Sequence, residues 1–450
     1  MVRVTDMTHG RPIRLILLFS LPLMLGSVFQ QLYTIVDTII IGRGVGMQAL
    51  ASIGAADWIN WLVLWGLQGF TQGFAILAAQ EFGAGAYDRL RRVLAMIVKL
   101  SCWFGIAVTI ISLLLVRPLL TLLHTDPAVF GGAQTYLYVQ FGGSLIIIAY
   151  NMAAAVLRCL GDSRTPLFAI IAASFANIAL DLLFVMGFGW GIFGASFATV
   201  LAQLIAFLLC LRSLRRLPFV QLAKADWKTD PAILLHLCRL GIPTGLQMSM
   251  ITLGGMVLQS VLNGFGVVFV ADYTAANKLY GILESASVAF GYAMTAYMGQ
   301  NRGARNAARI DAGIRAVLVL SIRFTAAIVA TMLLAGKPLL GLFLSTEEAG
   351  AADALAVAYQ YLMVLMAFLF ALFMLQAYRS SLQGLGEMTV PTLSGFAEML
   401  MRMGAALVLP AFIGQSGVFF AEGAAWVCAA ALNLVWYYIR IGKIKRDMLK

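Results

Sequence analysis

The stretch LPLMLGSVFQQLYTIVDTIIIGR, residues 21–43, decides how the rest of the chain is read. From Ile13 to Ile41 its only charges are Arg14, at the start, and Asp37. A run of this length crosses a bilayer, for which about 20 apolar residues suffice. A carboxylate inside such a helix costs about 2.5–3.5 kcal/mol to insert, so it faces protein or water and not lipid. Tyr33 lies one turn before Asp37 and Gln30 nearly two, and on a helix the three share a face. Pro22, near the other end, lacks an N–H and its ring crowds the preceding turn, which makes it a hinge candidate. A buried acid with polar neighbours reads as a proton or cation site. The alternative is an acid neutralised by one structural hydrogen bond.

Composition fixes the class. The chain has 450 residues, 61% hydrophobic and 11% charged, with mean hydropathy +0.90. Soluble domains carry about 25% charged residues, so this is an integral membrane protein. Its long apolar runs are helical and unlike the short alternating strands of an outer-membrane barrel. The net charge of +11 does not point to nucleic acid, because the basic residues sit in short connections between apolar runs. Cys102, Cys159, Cys210, Cys238 and Cys428 are scattered, with no metal or disulfide spacing. The basic start, MVRVTDMTHGRPIR, has no cleavage pattern and reads as a cytoplasmic lead into a retained helix. No Walker A, H-E-x-x-H, CxxC or dinucleotide loop is present, so no enzyme and no cofactor is expected.

Twelve apolar spans are read, at about 14–41, 50–80, 93–116, 131–157, 166–187, 190–211, 239–264, 270–299, 314–335, 355–378, 391–413 and 417–439. Of the 31 Lys and Arg, 25 fall in 1–14, 81–99, 158–164, 212–239, 302–315, Arg379 and 440–450. The opposite connections hold only Arg43, Arg117 and Lys337. Positive charge favours the inner side, so both termini are expected in the cytoplasm of a prokaryote, with the spans in its inner membrane.

The chain also repeats itself. LRCLGDSRTP (157–166) returns as LQGLGEMTVP (382–391), and Arg117-Pro118-Leu119-Leu120 returns as Lys337-Pro338-Leu339-Leu340. AQEFGA (79–84) has its counterpart in GQNRGA (299–304), and Leu21-Pro22 in Ile242-Pro243. Matches at nearly one offset are a duplication. Six spans per copy start both copies on the same side, which predicts an all-α membrane protein of two six-helix lobes, 1–222 and 223–450, related as parallel repeats.

The order L-x-x-L-G-D-x-x-x-P (157–166), N-x-x-x-D (177–181) and G-x-x-G-A-S-x-A-T (191–199) resembles the multidrug and toxic compound extrusion family. So do P…Y-x-x-x-D in the first span and Q-N-x-G-A at 300–304, and the likeness covers nearly the whole chain. The resemblance implies a V-shaped cavity between two lobes and export of small organic compounds, driven by inward H⁺ or Na⁺. Carried over residue by residue, the family's cation site falls on Asp37, Asn177, Asp181 and Thr199, with Tyr136 a weaker match and Tyr33 beside it. These are hard oxygen donors that suit Na⁺, and paired carboxylates also trap a proton. A monomer embedded in the lipid bilayer is expected.

In the second half, Glu284, Glu398 and Glu422 lie in or near spans, with Lys278 and Arg402 as partners. Glu398 and Arg402 are i, i+4 and either lock their helix or gate substrate. Some family members carry acids on spans seven and ten; here the matching stretches GIPTGLQMSMITLGG and LFALFMLQAY carry none. Trp58, Trp61 and Trp65, beside Asp57, wall a cavity for flat cations or form an interfacial belt. Methionines such as Met248, Met250, Met256, Met363 and Met366 suit a repackable surface, or simply core. A lipid-linked oligosaccharide flippase of similar fold is the alternative function. Such proteins line their cavity with several Arg or Lys, whereas only Lys278, Arg323 and Arg402 lie in spans here.

Overall fold

The computed structural model describes residues 4–341 and 351–449. These form thirteen α-helices and no strand among the described residues. In order they are α1 (Pro12–Gly44), α2 (Met47–Gly83), α3 (Tyr87–Leu122), α4 (Pro127–Gly142), α5 (Ser144–Cys159), α6 (Arg164–Asp181) and α7 (Gly191–Arg215). The second half has α8 (Pro231–Asn263), α9 (Val267–Gly303), α10 (Ala307–Gly341), α11 (Ala351–Gly384), α12 (Thr389–Ile413) and α13 (Phe420–Leu449). Ten helices are long and apolar enough to cross a membrane, and α4 with α5, bent by 50°, adds an eleventh span. α9 has a span's length, but Lys278 and Glu284 dilute its hydropathy. With it, the twelve spans read from hydropathy are all present.

The break between α4 and α5 falls at Gly143. A Cβ there would stand 2.5 Å from Cγ2 of Val200 on α7, so only glycine admits so close an approach. A second glycine seam runs down α2, where Gly66, Gly69 and Gly73 face the middle of α8, between Leu240 and Ser249. At Gly73 a Cβ would lie 2.6 Å from Cα of Gly241, and at Gly69 2.6 Å from the Thr244 carbonyl oxygen. Small residues at helical spacing let backbones touch, which supplies packing where lipid removes the hydrophobic drive.

The duplication is written into the turns. Left-handed backbone occurs at Gly46 and again at Gly266, at Gly85 and Arg305, at Gly161 and Gly386, and at Gly189 and Gly414. The separations are those of the sequence repeat, and Arg305 holds the conformation (φ 55°) without being glycine. The L-G-D motif is one of these turns. Asp162 accepts backbone hydrogen bonds from Arg164 and Thr165, each at 3.0 Å, and so starts α6.

Two compact units emerge: Met1–Met7 with Leu21–Ser249, and Thr8–Ser20 with Met250–Lys450. The boundary passes through α1 just before Pro22, which lies inside that helix. Many of the counted basic residues stand on the ends of helices, such as Arg158 on α5 and Arg302 on α9, and one of them is buried: Arg379, within α11, is 3% exposed. The basic asymmetry of the connections survives its removal.

Candidate functional site

In the first unit the chemistry gathers between two apolar clusters. One joins Ile40, Ile41, Ala49, Val185 and Ala195, with Ile178 and Ile192 against it, and so ties α1, α2, α6 and α7 together. The other, Ala56, Ile59, Val116, Leu120, Ala133, Leu137 and Phe141, packs Tyr136 into the α2–α3–α4 interface. Between them stand the acids. Asp181 is the last residue of α6 and fully buried; after it the backbone widens into a π-helical turn, Leu182–Gly187. Such turns recur at functional sites because they re-aim side chains out of the regular helix.

Asp37 and Asp181 come within hydrogen-bonding reach of each other, although two carboxylates offer no proton for that bond. Tyr33 lies close to both. Asn177, one turn before Asp181, is 1% exposed. Oδ1 of Asp37, both carboxylate oxygens of Asp181 and both amide atoms of Asn177 are buried without a hydrogen-bond partner. Buried polar atoms are nearly always paired, so five orphans on three neighbouring side chains mark a place for something brought from outside. No Lys, Arg or His pairs with these acids among the described residues. Nor do three His, Cys, Asp or Glu converge as a metal cluster among them. Two carboxylates and an amide oxygen fit a proton or a hard monovalent cation.

Tyr136 joins the group from α4. Its hydroxyl accepts from Nδ2 of Asn60 (3.1 Å) and lies near Asp37, Tyr33 and Asp57. The Thr199 hydroxyl donates to the Ala195 carbonyl of its own helix (3.1 Å), and Gln30 is exposed on α1. Trp61 and Trp65 are exposed at 45% and 47%, with Trp58 packed edge-on against Trp61.

The second unit holds a different arrangement. Arg379 on α11 bonds Glu398 of α12 at 2.5 Å, and Arg402 bonds the other oxygen of Glu398 at 3.2 Å. Arg402 also reaches Glu422 of α13 at 2.8 Å and donates to the Ile251 carbonyl of α8 at 3.0 Å. Glu284 of α9 lies near Glu422, Arg402 and Tyr280. The i, i+4 pair was visible in sequence, and so was Arg402 as a partner for Glu422; the part of Arg379 was not, since its contact with Glu398 crosses helices. Lys278 and Arg323 are exposed and outside this network.

Twelve spans in two copies, with unneutralised acids among the helices of one, define a membrane transporter. A family model described as MatE matches the chain twice, over residues 22–183 and 243–408, so each copy carries its own match. The chain belongs to the MatE family, whose members are transporters and not enzymes. It is 32% identical over 455 residues to "Probable multidrug resistance protein YpnP" of Bacillus subtilis (strain 168), covering 99% of this chain and 98% of that protein. Its fold matches the crystal structure of MATE in complex with MaL6 (TM-score 0.91, 24% identity, 99% and 100% of the two chains). It also matches a MOP superfamily transporter from Pyrococcus furiosus, whose binding pocket of reverse polarity suggests a different function for that protein (TM-score 0.90, 24% identity, 98% and 99%).

Proposed function

We propose that the chain is a secondary active multidrug efflux antiporter, exporting organic, cationic compounds in exchange for H⁺ or Na⁺ by alternating access. The observation that carries this reading is the orphaned cluster of Asp37, Asn177 and Asp181. A proton or Na⁺ on the paired carboxylates neutralises them and supplies the missing hydrogen bond or ligand. Loading then favours one arrangement of the bundle, and organic substrate favours the other; the reciprocity of linked binding makes each expel its competitor. Thr199 and Tyr136 complete the donor set in this proposal, Tyr33 shields it, and Pro22 is the hinge of α1. Gln30 and Glu284 are offered to the substrate path.

The name of the Bacillus subtilis relative supports drugs as the cargo. Both buried arginines of the second unit are bound to glutamates. That favours drug export over a lipid-linked oligosaccharide flippase, which needs free cations to meet a diphosphate. The basic connections support cytoplasmic termini in the inner membrane of a prokaryote, and the transporter is read as a monomer.

The test is reconstitution, following ethidium or a fluoroquinolone under pH and Na⁺ gradients imposed separately. Asp37→Asn keeps size and hydrogen bonding but loses the charge; it is expected to abolish gradient-driven accumulation while drug binding survives. Asp181→Asn behaves likewise, and the double variant is little worse than either, because the two act as one unit. An Asp37→Asn protein that still concentrates drug refutes the site.

A further inference from the structure

We infer that the first unit carries a site for an anionic phospholipid at the end that bears its basic connections, with the headgroup phosphate held by Arg89 and Arg92.

A cavity of about 340 Å³ lies where the end of α2 (Leu77), the start of α3 (Arg89, Arg92) and the entry to α8 (Asp230, Ile233, His236) meet. Ligand cavities run from about 300 to 1,000 Å³, so this one suits a headgroup better than a drug. Leu77 and Ile233 on its wall are buried, whereas Arg89, Arg92 and His236 are exposed. Nε of Arg89 pairs with Glu81 at 3.0 Å, which steadies one guanidinium beside the cavity. Glu81 also lies near Arg92, but Arg92 forms no ion pair among the described residues. The carboxylate in the lining is already engaged. Oδ1 of Asp230 accepts from the backbone N–H groups of Ala232 (3.0 Å) and Ile233 (3.2 Å), and so caps α8. Around the cavity positive charge prevails, since 81–99 and 212–239 hold ten Lys and Arg against four Asp and Glu. Guanidinium groups match the oxygens of a phosphate in shape and charge, and basic pockets between spans recognise anionic headgroups.

The continuation of α3 makes that phosphate a lipid's. Arg92 is the last residue before the apolar span 93–116. Lys99, Trp103, Ile106 and Ile110 follow it at i+7, i+11, i+14 and i+18, which puts all five on one helical face. Lys99 is taken up by the connector, donating to the Trp227 carbonyl and to the Thr229 hydroxyl (2.9 Å). Trp103, Ile106 and Ile110 are each about half exposed, an apolar track that leads away from Arg92 into the span. A soluble anion would use the arginines alone; a phospholipid uses the arginines for its phosphate and the track for an acyl chain.

The site can be tested on the whole transporter, delipidated in dodecyl maltoside, by native mass spectrometry during titration with dioleoylphosphatidylglycerol. Saturable retention of one lipid is expected, with dioleoylphosphatidylcholine binding more weakly and millimolar inorganic phosphate failing to displace it. Arg89→Gln with Arg92→Gln is expected to weaken retention about a hundredfold, roughly tenfold for each guanidinium–phosphate contact. Arg215→Gln with Arg216→Gln removes the same charge from exposed residues outside the lining and is expected to change nothing. Should the double variant misfold through loss of the Glu81 pair, Arg92→Gln alone decides, with a loss of about tenfold expected. Undiminished retention by the arginine variants overturns the site. So does an equal loss on changing Arg215 and Arg216, which would mean diffuse attraction, or equal affinity for phosphatidylcholine. Displacement by inorganic phosphate overturns the lipid and leaves a site for a soluble anion.

Discussion

Replacing Glu398 by Gln tests whether the charge network of the second unit is structural. Glu398 is 3% exposed and neutralises Arg379 at 2.5 Å and Arg402 at 3.2 Å. Arg402 keeps Glu422 and the Ile251 carbonyl after the change. Arg379 keeps little: its other contact in this group is the Ser394 hydroxyl at 3.5 Å. The loss therefore falls on one guanidinium, left buried and unpaired, and breaking a buried pair this way costs about 3–5 kcal/mol. Gln retains one carbonyl oxygen, which places the effect near 3 kcal/mol, roughly a hundredfold in the folded-to-unfolded ratio. Chemical unfolding of the purified protein in detergent measures it, alongside ion-driven ethidium efflux per folded molecule. Stability is expected to fall while efflux per folded molecule is retained. Changing both partners, Arg379→Met with Glu398→Met, should recover most of the loss, since Arg402 still has Glu422. A Glu398→Gln protein as stable as the wild type but unable to transport would refute the structural role and move the coupling chemistry into the second unit.

Two further outcomes are expected. Arg305 is exposed and left-handed where its repeat counterpart is Gly85. Arg305→Gly releases about 1–2 kcal/mol of backbone strain against about 0.5–1 kcal/mol of added chain entropy, so thermal unfolding should shift slightly upward; a fall would refute it. Cysteine at Arg43 or Lys337, both exposed, should react with an impermeant maleimide outside intact cells, and cysteine at Lys224 should not. External labelling at Lys224 reverses the topology.

The spans were legible because length and apolarity are local properties, and bilayer thickness sets both. The duplication was legible because the turns it preserves need glycine or proline. Asp37, Asn177 and Asp181 stood out as polar residues in apolar runs. What lay beyond reading was contact between distant helices. Asp57 looked like a neighbour of three tryptophans, and nothing in its surroundings announced Tyr136, 79 positions later. Arg379 looked like a connection residue because an apolar run ends there, whereas the helix goes on for another turn. The bend at Gly143 had a signal in Gly142-Gly143, but its cause, the crowding of Val200, is tertiary.

The eight paired left-handed positions have a consequence for how the two copies diverged. Turn geometry has been held fixed while helix interiors drifted, so the scaffold tolerates opposite electrostatic solutions on one template. One copy leaves Asp37 and Asp181 without a basic partner among the described residues, while in the other Arg379 and Arg402 meet Glu398. Two copies of one set of turns thus carry opposite charge arrangements in their helices.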